Sequence, residues 1–265
     1  MKKFLVIGNP IKHSFSPMLH NYWIKKNNIN AIYEKKQTTD KELNEIINNV
    51  RIEKLCGMNV TIPFKKSIIS HVDILSTEAE NTQSVNTIYL NNGKVVGHNT
   101  DIAGFELSIN KIKYNVSGKK ILILGAGGVV SSIVYALYKM NASTIIVTNR
   151  TKQKAKDLKI LFKNLIIADW GEVPDFDIII NATSVGLNLN DKLNLDFSKV
   201  GSNKLFYDII YNPNMTNFLK TGNNLGNITE NGKMMFIYQA HQAFTLWHKL
   251  MPEINDEVLK IVSND

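Results

Sequence analysis

Short apolar runs of strand length alternate with amphipathic patterns of helical spacing along most of this 265-residue chain. Helical spacing is clearest at 41–50 and 129–138, and Asn91-Asn92-Gly93 between two strand patterns predicts a hairpin. This alternation predicts an α/β fold built on mostly parallel strands. The predicted buried strands are 4–8, 31–36, 121–124, 144–148, 177–180 and 205–207.

A glycine turn follows the apolar run 121–124 and precedes a helical pattern that begins at Val129. Strand, glycine turn and helix in this order predict dinucleotide binding, because the backbone can approach a pyrophosphate held at the helix N-terminus. Val130 stands where Gly or Ala is usual, so a tight turn in another kind of α/β protein remains open. The turn consists of Gly125, Ala126, Gly127 and Gly128.

The next strand, 144–148, ends in Asn149-Arg150-Thr151. An NAD site usually has an acidic residue here for the ribose hydroxyls, whereas Asn followed by Arg suits a 2′-phosphate. Arg150 is one of only two arginines in the chain. NADP(H) is therefore the predicted cofactor, with Lys152 and Lys154 adding to the positive field, although a solvated helix start is the alternative.

Two serines precede the first helical pattern. Ser16 before Pro17 is predicted to be an N-cap, and together with Ser14 it could offer hydroxyls to a carboxylate. Capping alone would explain both residues equally well.

Polar residues follow the strand pattern around residue 59. Asn59 and Thr61 share one face by alternation, and Lys65 lies in the loop after Pro63, at the edge where α/β sheets bind ligands. A partly desolvated lysine can shuttle protons. Asp101, at a predicted helix start, is either a cap or a carboxylate directed into a site.

Composition narrows the class of protein. The net charge of +8 comes from dispersed lysines without a nucleic-acid motif, so a nucleic-acid partner is not expected. No apolar stretch is long enough to span a membrane, and the single Cys56 fits a reducing cytoplasm. No His, Cys and carboxylate cluster has metal-ligand spacing, so no metal is expected.

Nine motifs occur along the chain in this order: GNPIKHSFSP, NVTIPFK, SVNT, GHNTD, GAGG, NRT, INATSVG, DIIYNP and NG…YQAHQAF. The chain resembles the shikimate dehydrogenase family, in which the same order is found, from Gly8 to about Trp247. The resemblance implies an N-terminal α/β substrate domain, 1–101, completed by C-terminal helices 237–265, a Rossmann-like NADP domain, 102–236, and an active-site cleft between them.

The implied reaction is the reversible NADPH-dependent reduction of 3-dehydroshikimate to shikimate in aromatic biosynthesis, with Lys65 and Asp101 as the catalytic pair. A quinate/shikimate dehydrogenase using NAD(P), or a catalytically silent NADPH-binding regulator, is the alternative. The implied substrate-binding residues are Ser14, Ser16, Asn59, Thr61, Asn86, Tyr211 and Gln239. The implied cofactor-binding residues are Gly125, Ala126, Gly127, Gly128, Asn149, Arg150, Thr151, Thr183, Ile209 and Gly232.

Three positions depart from the family pattern: Ile102, Ser131 and Met234. Met234 replaces a usual glycine and bears on the shape of the nicotinamide pocket. The expected partner is a small-molecule substrate, and the expected state is a monomer or homodimer.

Overall fold

The computed structural model describes residues 1–188 and 190–263; the last two residues of the predicted 237–265 segment lie outside this range. The chain divides into two compact units, one formed by Met1–Gly104 with Ile237–Asp265 and the other by Phe105–Phe236. The unit boundaries fall within two helices, Asp101–Lys111 and Lys233–His248.

The first unit contains a mixed sheet of six strands in the order β2-β1-β3-β5-β6-β4 among the described residues. Strands β1, β2 and β3 run parallel, whereas β5 is antiparallel to both β3 and β6. The strands are β1 Lys2–Gly8, β2 Ala31–Gln37, β3 Gly57–Val60, β4 Ile74–Leu75, β5 Thr87–Asn91 and β6 Lys94–His98.

Helices cover this sheet because their apolar residues recur at helical spacing. Leu43, Ile46, Ile47 and Val50 share a core with residues of the strands and of the loop after β3. Two 3₁₀ turns, Asp40–Glu42 and Ser67–His71, complete the connections. The α-helices are α1 Ser16–Lys26, α2 Leu43–Arg51, α3 Thr77–Thr82, the first part of α4 Asp101–Lys111, most of α8 Lys233–His248, and α9 Asp256–Ile261.

The second unit contains six parallel strands of the described chain in the order β12-β11-β10-β7-β8-β9. If the strands are counted along this unit, their order is 3-2-1-4-5-6. In this doubly wound arrangement dinucleotides bind at the carboxyl ends of β7 and β10, where the strand order reverses. The strands are β7 Lys120–Leu124, β8 Thr144–Thr148, β9 Ile166–Ala168, β10 Ile178–Asn181, β11 Leu205–Asp208 and β12 Ile228–Glu230, and the helices are α5 Val130–Lys139, α6 Lys152–Leu161 and α7 Asn217–Asn224.

The predicted α/β class, the strands and the hairpin are confirmed, and the strand ends agree with the prediction to within three residues. The predicted N-cap at Ser16 is wrong. Ser16 is the first residue of α1, and Phe15 occupies the cap position without a side-chain cap bond. Ser14 Oγ instead accepts from the Ser16 N–H at 3.3 Å, so the serine two positions earlier satisfies this amide. None of the helices in the described residues is long and apolar enough to cross a membrane.

Candidate active site

An ion pair joins Lys65 and Asp101 in the first unit. Lys65 lies in the loop that follows β3, and Asp101 is the first residue of α4. Lys65 Nζ donates to Asp101 Oδ2 at 2.6 Å, and the two side chains are only 12% and 7% exposed. Such low exposure strengthens the attraction relative to a surface pair, because less water screens it. The sequence separates these residues by 36 positions, and the fold brings them together.

Asn86 holds the second oxygen of this carboxylate. Its Nδ2 donates to Asp101 Oδ1 at 2.9 Å and to Thr100 Oγ1 at 2.9 Å. Its Oδ1 accepts from the Thr100 N–H at 2.8 Å. The carboxylate of Asp101 therefore has a fixed orientation, with one oxygen facing Lys65 and the other facing Asn86.

Asn59 and Gln239 extend the same polar cluster. Asn59 Nδ2 donates to the Asn86 carbonyl at 3.1 Å, and Tyr33 Oη donates to Asn59 Oδ1 at 2.6 Å. Gln239, on α8, accepts from Asn86 Nδ2 at 3.4 Å. The structure thus brings five of the predicted side chains into one network: Asn59, Lys65, Asn86, Asp101 and Gln239.

Backbone hydrogen bonds join the loop after β3, which carries Thr61, to β1 and to the loop that follows β1. The Thr61 N–H donates to the Ile7 carbonyl at 2.9 Å, and the Asn9 N–H donates to the Ile62 carbonyl at 2.9 Å. Ser14 and Thr61 are partly exposed, so both can meet a ligand.

The glycine turn of the second unit follows β7. Gly125 has φ +109°, which favours glycine, and a Cβ there would lie 2.7 Å from the Ala182 carbonyl oxygen at the end of β10. A Cβ at Gly127 would have no heavy atom within 4 Å. The first glycine is therefore required by the fold, whereas the space at Gly127 is open to a ligand.

Asn149 and Arg150, which follow β8, have different environments. Asn149 Oδ1 accepts from the Ala126 N–H at 3.1 Å, and its Nδ2 donates to the Thr151 carbonyl at 2.8 Å. Arg150 is exposed. Lys152 is paired with Asp169, which raises the Lys152 pKa through a hydrogen bond. Asn149 therefore holds the glycine turn, and the guanidinium of Arg150 is exposed to solvent next to it.

Asp208, at the end of β11, organises the remaining loops of this edge. Its carboxylate accepts from Asn181 Nδ2 at 3.1 Å, from the Ile210 N–H at 3.0 Å and from Thr216 Oγ1 at 2.7 Å. Asn181 Oδ1 in turn accepts from Thr183 Oγ1 at 2.7 Å. Burial raises the pKa of Asp208 to about 6. The loop that carries Thr183 is therefore fixed by a buried side-chain network.

The segment that follows Asp208 carries Ile209 and Tyr211, and Gly232 packs against it. A Cβ at Gly232 would come 2.0 Å from the Ile209 carbonyl oxygen, so the two backbones are in direct contact. The Tyr211 ring stacks on Phe236 at 4.6 Å, and burial raises its pKa to about 12. Tyr211 belongs to the second unit, whereas the other predicted substrate-binding side chains belong to the first.

Comparison with known proteins identifies the family. The model of the shikimate dehydrogenase substrate binding domain matches residues 6–88, and that of shikimate / quinate 5-dehydrogenase matches residues 106–226. The NADP(+) shikimate dehydrogenase of Pelagibacter ubique is 56% identical over 98% of both chains. The chain belongs to the shikimate dehydrogenase family.

Solved structures of shikimate dehydrogenases agree with this assignment. The enzyme from Aquifex aeolicus has 33% identity and a TM-score of 0.90, covering 100% of this chain and 98% of its own. The Thermus thermophilus enzyme, solved in complex with NADP(H) and shikimate, has 29% identity and a TM-score of 0.89, covering 100% and 99%. Both confirm the Rossmann-like unit and the α/β substrate unit.

The edge that carries the glycine turn fits the dinucleotide that this family uses. The open space at Gly127, the ordered turn and the exposed guanidinium of Arg150 are what a pyrophosphate and a 2′-phosphate require. Lys152, expected to add to the field, is instead engaged by Asp169. Ion pairing therefore reduces its contribution.

Two residues of the networks described above, Asp208 and Tyr33, were not predicted from the sequence to have a role. Asp208 lies within the DIIYNP motif, and that motif was the only available signal. Tyr33 lies in the middle of β2, where a tyrosine reads as core. The three departures from the family pattern, Ile102, Ser131 and Met234, are all buried, at 2%, 8% and 4% exposure.

Proposed function

We propose that this shikimate dehydrogenase family member catalyses the reversible NADPH-dependent reduction of 3-dehydroshikimate to shikimate, with Lys65 and Asp101 as the acid–base pair. The observation that supports this proposal most directly is the 2.6 Å ion pair between these residues, which lies in a network of amide side chains. An ammonium held by a carboxylate is suited to protonate a developing alkoxide.

Lys65 provides the proton in this reaction. When bound, NADPH supplies a hydride to the carbonyl carbon of the substrate. As negative charge develops on the carbonyl oxygen, Lys65 Nζ donates a hydrogen bond to it and then transfers its proton, which completes the hydroxyl group. Asp101 orients the ammonium, and Asn86 keeps that carboxylate turned toward Lys65.

The remaining polar side chains bind and orient the substrate. Ser14 and Ser16 bind the substrate carboxylate with their hydroxyls. The ring hydroxyls are held by Asn59, Thr61, Asn86 and Gln239, and Tyr211 is a further proposed substrate-binding residue.

The cofactor is NADP(H), held at the carboxyl ends of β7 and β10, where the strand order reverses. Gly125, Ala126, Gly127 and Gly128 accommodate the pyrophosphate, and Asn149, Arg150 and Thr151 surround the 2′-phosphate. Thr183, Ile209 and Gly232 border the cofactor on the loops that follow β10, β11 and β12.

Neither alternative gains support from the chain. No acidic residue stands at 149–151 to favour NAD, and a silent regulator would not need the Lys65–Asp101 pair. We also propose that the protein works in the cytoplasm, as a monomer or homodimer.

A steady-state absorbance assay of NADPH oxidation with 3-dehydroshikimate tests this function. We expect rapid turnover with NADPH, poor turnover with NADH, and weak oxidation of quinate with NAD⁺. Folded protein that binds NADPH without turnover would support the regulator instead. Quinate oxidation with NAD⁺ that outpaces shikimate oxidation with NADP⁺ would support the quinate alternative.

A further inference from the structure

Tyr33 is a buried tyrosine whose hydroxyl reaches the substrate side of the first unit. It lies in β2 at 1% exposure, while its strand neighbours Glu34 and Lys35 are exposed. Its Oη donates to Asn59 Oδ1 at 2.6 Å. This tyrosine therefore contacts a proposed substrate-binding residue directly, without itself being one.

The direction of this bond follows from the other partners of Asn59. Asn59 Nδ2 lies 3.1 Å from the Asn86 carbonyl oxygen and 3.1 Å from Thr87 Oγ1. A backbone carbonyl can only accept, so the amide nitrogen has to face it. Both protons of Nδ2 are thereby used inside the protein, and Oδ1 faces Tyr33. The only capacity that Asn59 retains for a ligand is a lone pair of Oδ1.

Two residues of α1 hold Tyr33, one by its backbone and the other by its ring. Asn21 Nδ2 donates to the Tyr33 carbonyl at 2.8 Å, and the Tyr33 N–H donates to Asn21 Oδ1 at 2.9 Å. The His20 ring stacks on the Tyr33 ring at 4.2 Å with an interplanar angle of 3°. Neither nitrogen of His20 has a hydrogen-bond partner within the described residues, so the His20 ring holds Tyr33 by packing.

The same helix begins at Ser16, so α1 connects Tyr33 to the proposed carboxylate-binding end of the substrate site. Burial raises the pKa of Tyr33, and a hydrogen bond from Ser16 opposes this effect. The phenol is therefore neutral and able to donate.

We propose that Tyr33 is a positioning residue for the reaction: its hydroxyl, together with the Asn86 carbonyl, holds the Asn59 amide so that the remaining lone pair of Oδ1 accepts from a ring hydroxyl of the substrate. The inference rests on the proposed function. It also assigns a preference, since a site that offers only an acceptor favours a substrate with a hydroxyl donor at that position over one with a carbonyl or ether oxygen there.

Tyr33→Phe tests the proposal because it keeps the stacked ring and removes only the hydroxyl. We expect the KM for 3-dehydroshikimate to rise about ten-fold, the usual value of one positioned hydrogen bond, with kcat changed less than about three-fold. The matched control is Tyr207→Phe, which removes another fully buried hydroxyl, one bonded to Ser108 Oγ. The KM for NADPH, determined in parallel, should not change in Tyr33→Phe.

A double-mutant cycle separates positioning from a general effect on folding. If Tyr33 acts through Asn59, adding Tyr33→Phe to Asn59→Ala should cause no further rise in KM. Additive effects, or an unchanged KM in the single variant, would overturn the inference while leaving the proposed function intact. Absence of turnover in the parent chain would refute the proposed function and this inference together.

Discussion

At the level of single residues, the two side chains that follow β8 have separate tasks. Asn149 is used by the protein, since it binds both the glycine turn and the Thr151 carbonyl. Arg150 is exposed, and within the described residues it makes no ion pair. Cofactor preference is therefore expected to depend on Arg150, whereas the order of the turn depends on Asn149.

Replacing Arg150 by Ala should weaken the use of NADPH selectively. A charge-assisted hydrogen bond to phosphate contributes roughly 1.5–3 kcal/mol, so kcat/KM for NADPH should fall about 10- to 100-fold. The value for NADH should change little, because NADH has no 2′-phosphate. Lys159→Ala, which removes an exposed cation within the following helix, α6, is the matched control. Equal losses with both cofactors would remove Arg150 from its assigned role.

His20 makes the free energy of unfolding depend on pH. Burial, with a smaller effect of His248, lowers its pKa from 6.5 to about 3. Below pH 6.5 the imidazole is protonated in the unfolded chain but not in the folded chain. The free energy of unfolding therefore decreases by about 1.4 kcal/mol for each pH unit by which the pH is lowered, down to about pH 3. His20→Phe keeps an aromatic ring in this position and removes the titration.

Urea unfolding at pH 7.5 and pH 5 measures this contribution. Between pH 7.5 and pH 5 the parent should lose roughly 2 kcal/mol more unfolding free energy than His20→Phe. The same loss in both proteins would mean that the imidazole is protonated in the folded state.

The sequence predicted some residue roles and not others. The Lys65–Asp101 pair was found because both residues lie in distinctive motifs. The role of Tyr33 was not, because a tyrosine in a buried strand has the same pattern whether or not its hydroxyl has a partner. Only the fold brings its hydroxyl to Asn59, 26 positions further along the chain.

At the level of elements, the strand, glycine turn and helix at 120–139 follow the sequence closely. Apolar length defines β7 and helical spacing defines α5, so neither depends on distant partners. The start of α1 was predicted less well. The sequence Ser-Pro suited a cap at Ser16, but the helix begins at Ser16 itself, and the loop before it places Ser14 Oγ where it accepts from the Ser16 N–H.

Gly127→Ala should separate binding from folding in the glycine turn. The added Cβ meets no protein atom within 4 Å, so the melting temperature of the protein alone should stay within about 1–2 °C of the parent. The methyl group occupies space proposed for the pyrophosphate, so the Kd for NADP⁺ should rise at least about ten-fold.

Gly201→Ala is the control, because a Cβ there is also unobstructed and the position is outside the proposed site. Calorimetric titration with NADP⁺ measures both variants. Unchanged NADP⁺ affinity in Gly127→Ala would move the pyrophosphate away from this turn.

At the level of the whole molecule, the sequence predicted the mixed α/β class and the Rossmann-like arrangement of the second half. It did not determine which strands form the sheet edges. That order depends on pairing between distant segments, such as β7 with β10, and local periodicity contains no information about such partners. The family resemblance implied a Rossmann-like second domain, and the structure gives the order of its strands.

The proposed reaction depends on one ammonium group acting as the proton donor. Lys65→Ala should lower kcat for 3-dehydroshikimate with NADPH by roughly 10²- to 10⁴-fold, the usual contribution of a positioned acid. KM should change less, because the proposed carboxylate and hydroxyl ligands remain. Lys66→Ala is the matched control, since it removes an exposed ammonium from the adjacent position.

The deciding measurement is therefore kcat for 3-dehydroshikimate reduction by NADPH in the parent, Lys65→Ala and Lys66→Ala proteins, each verified as folded by its melting temperature. We expect a large loss of kcat in Lys65→Ala alone. Near-normal kcat in Lys65→Ala, or equal losses in both variants, would contradict this expectation.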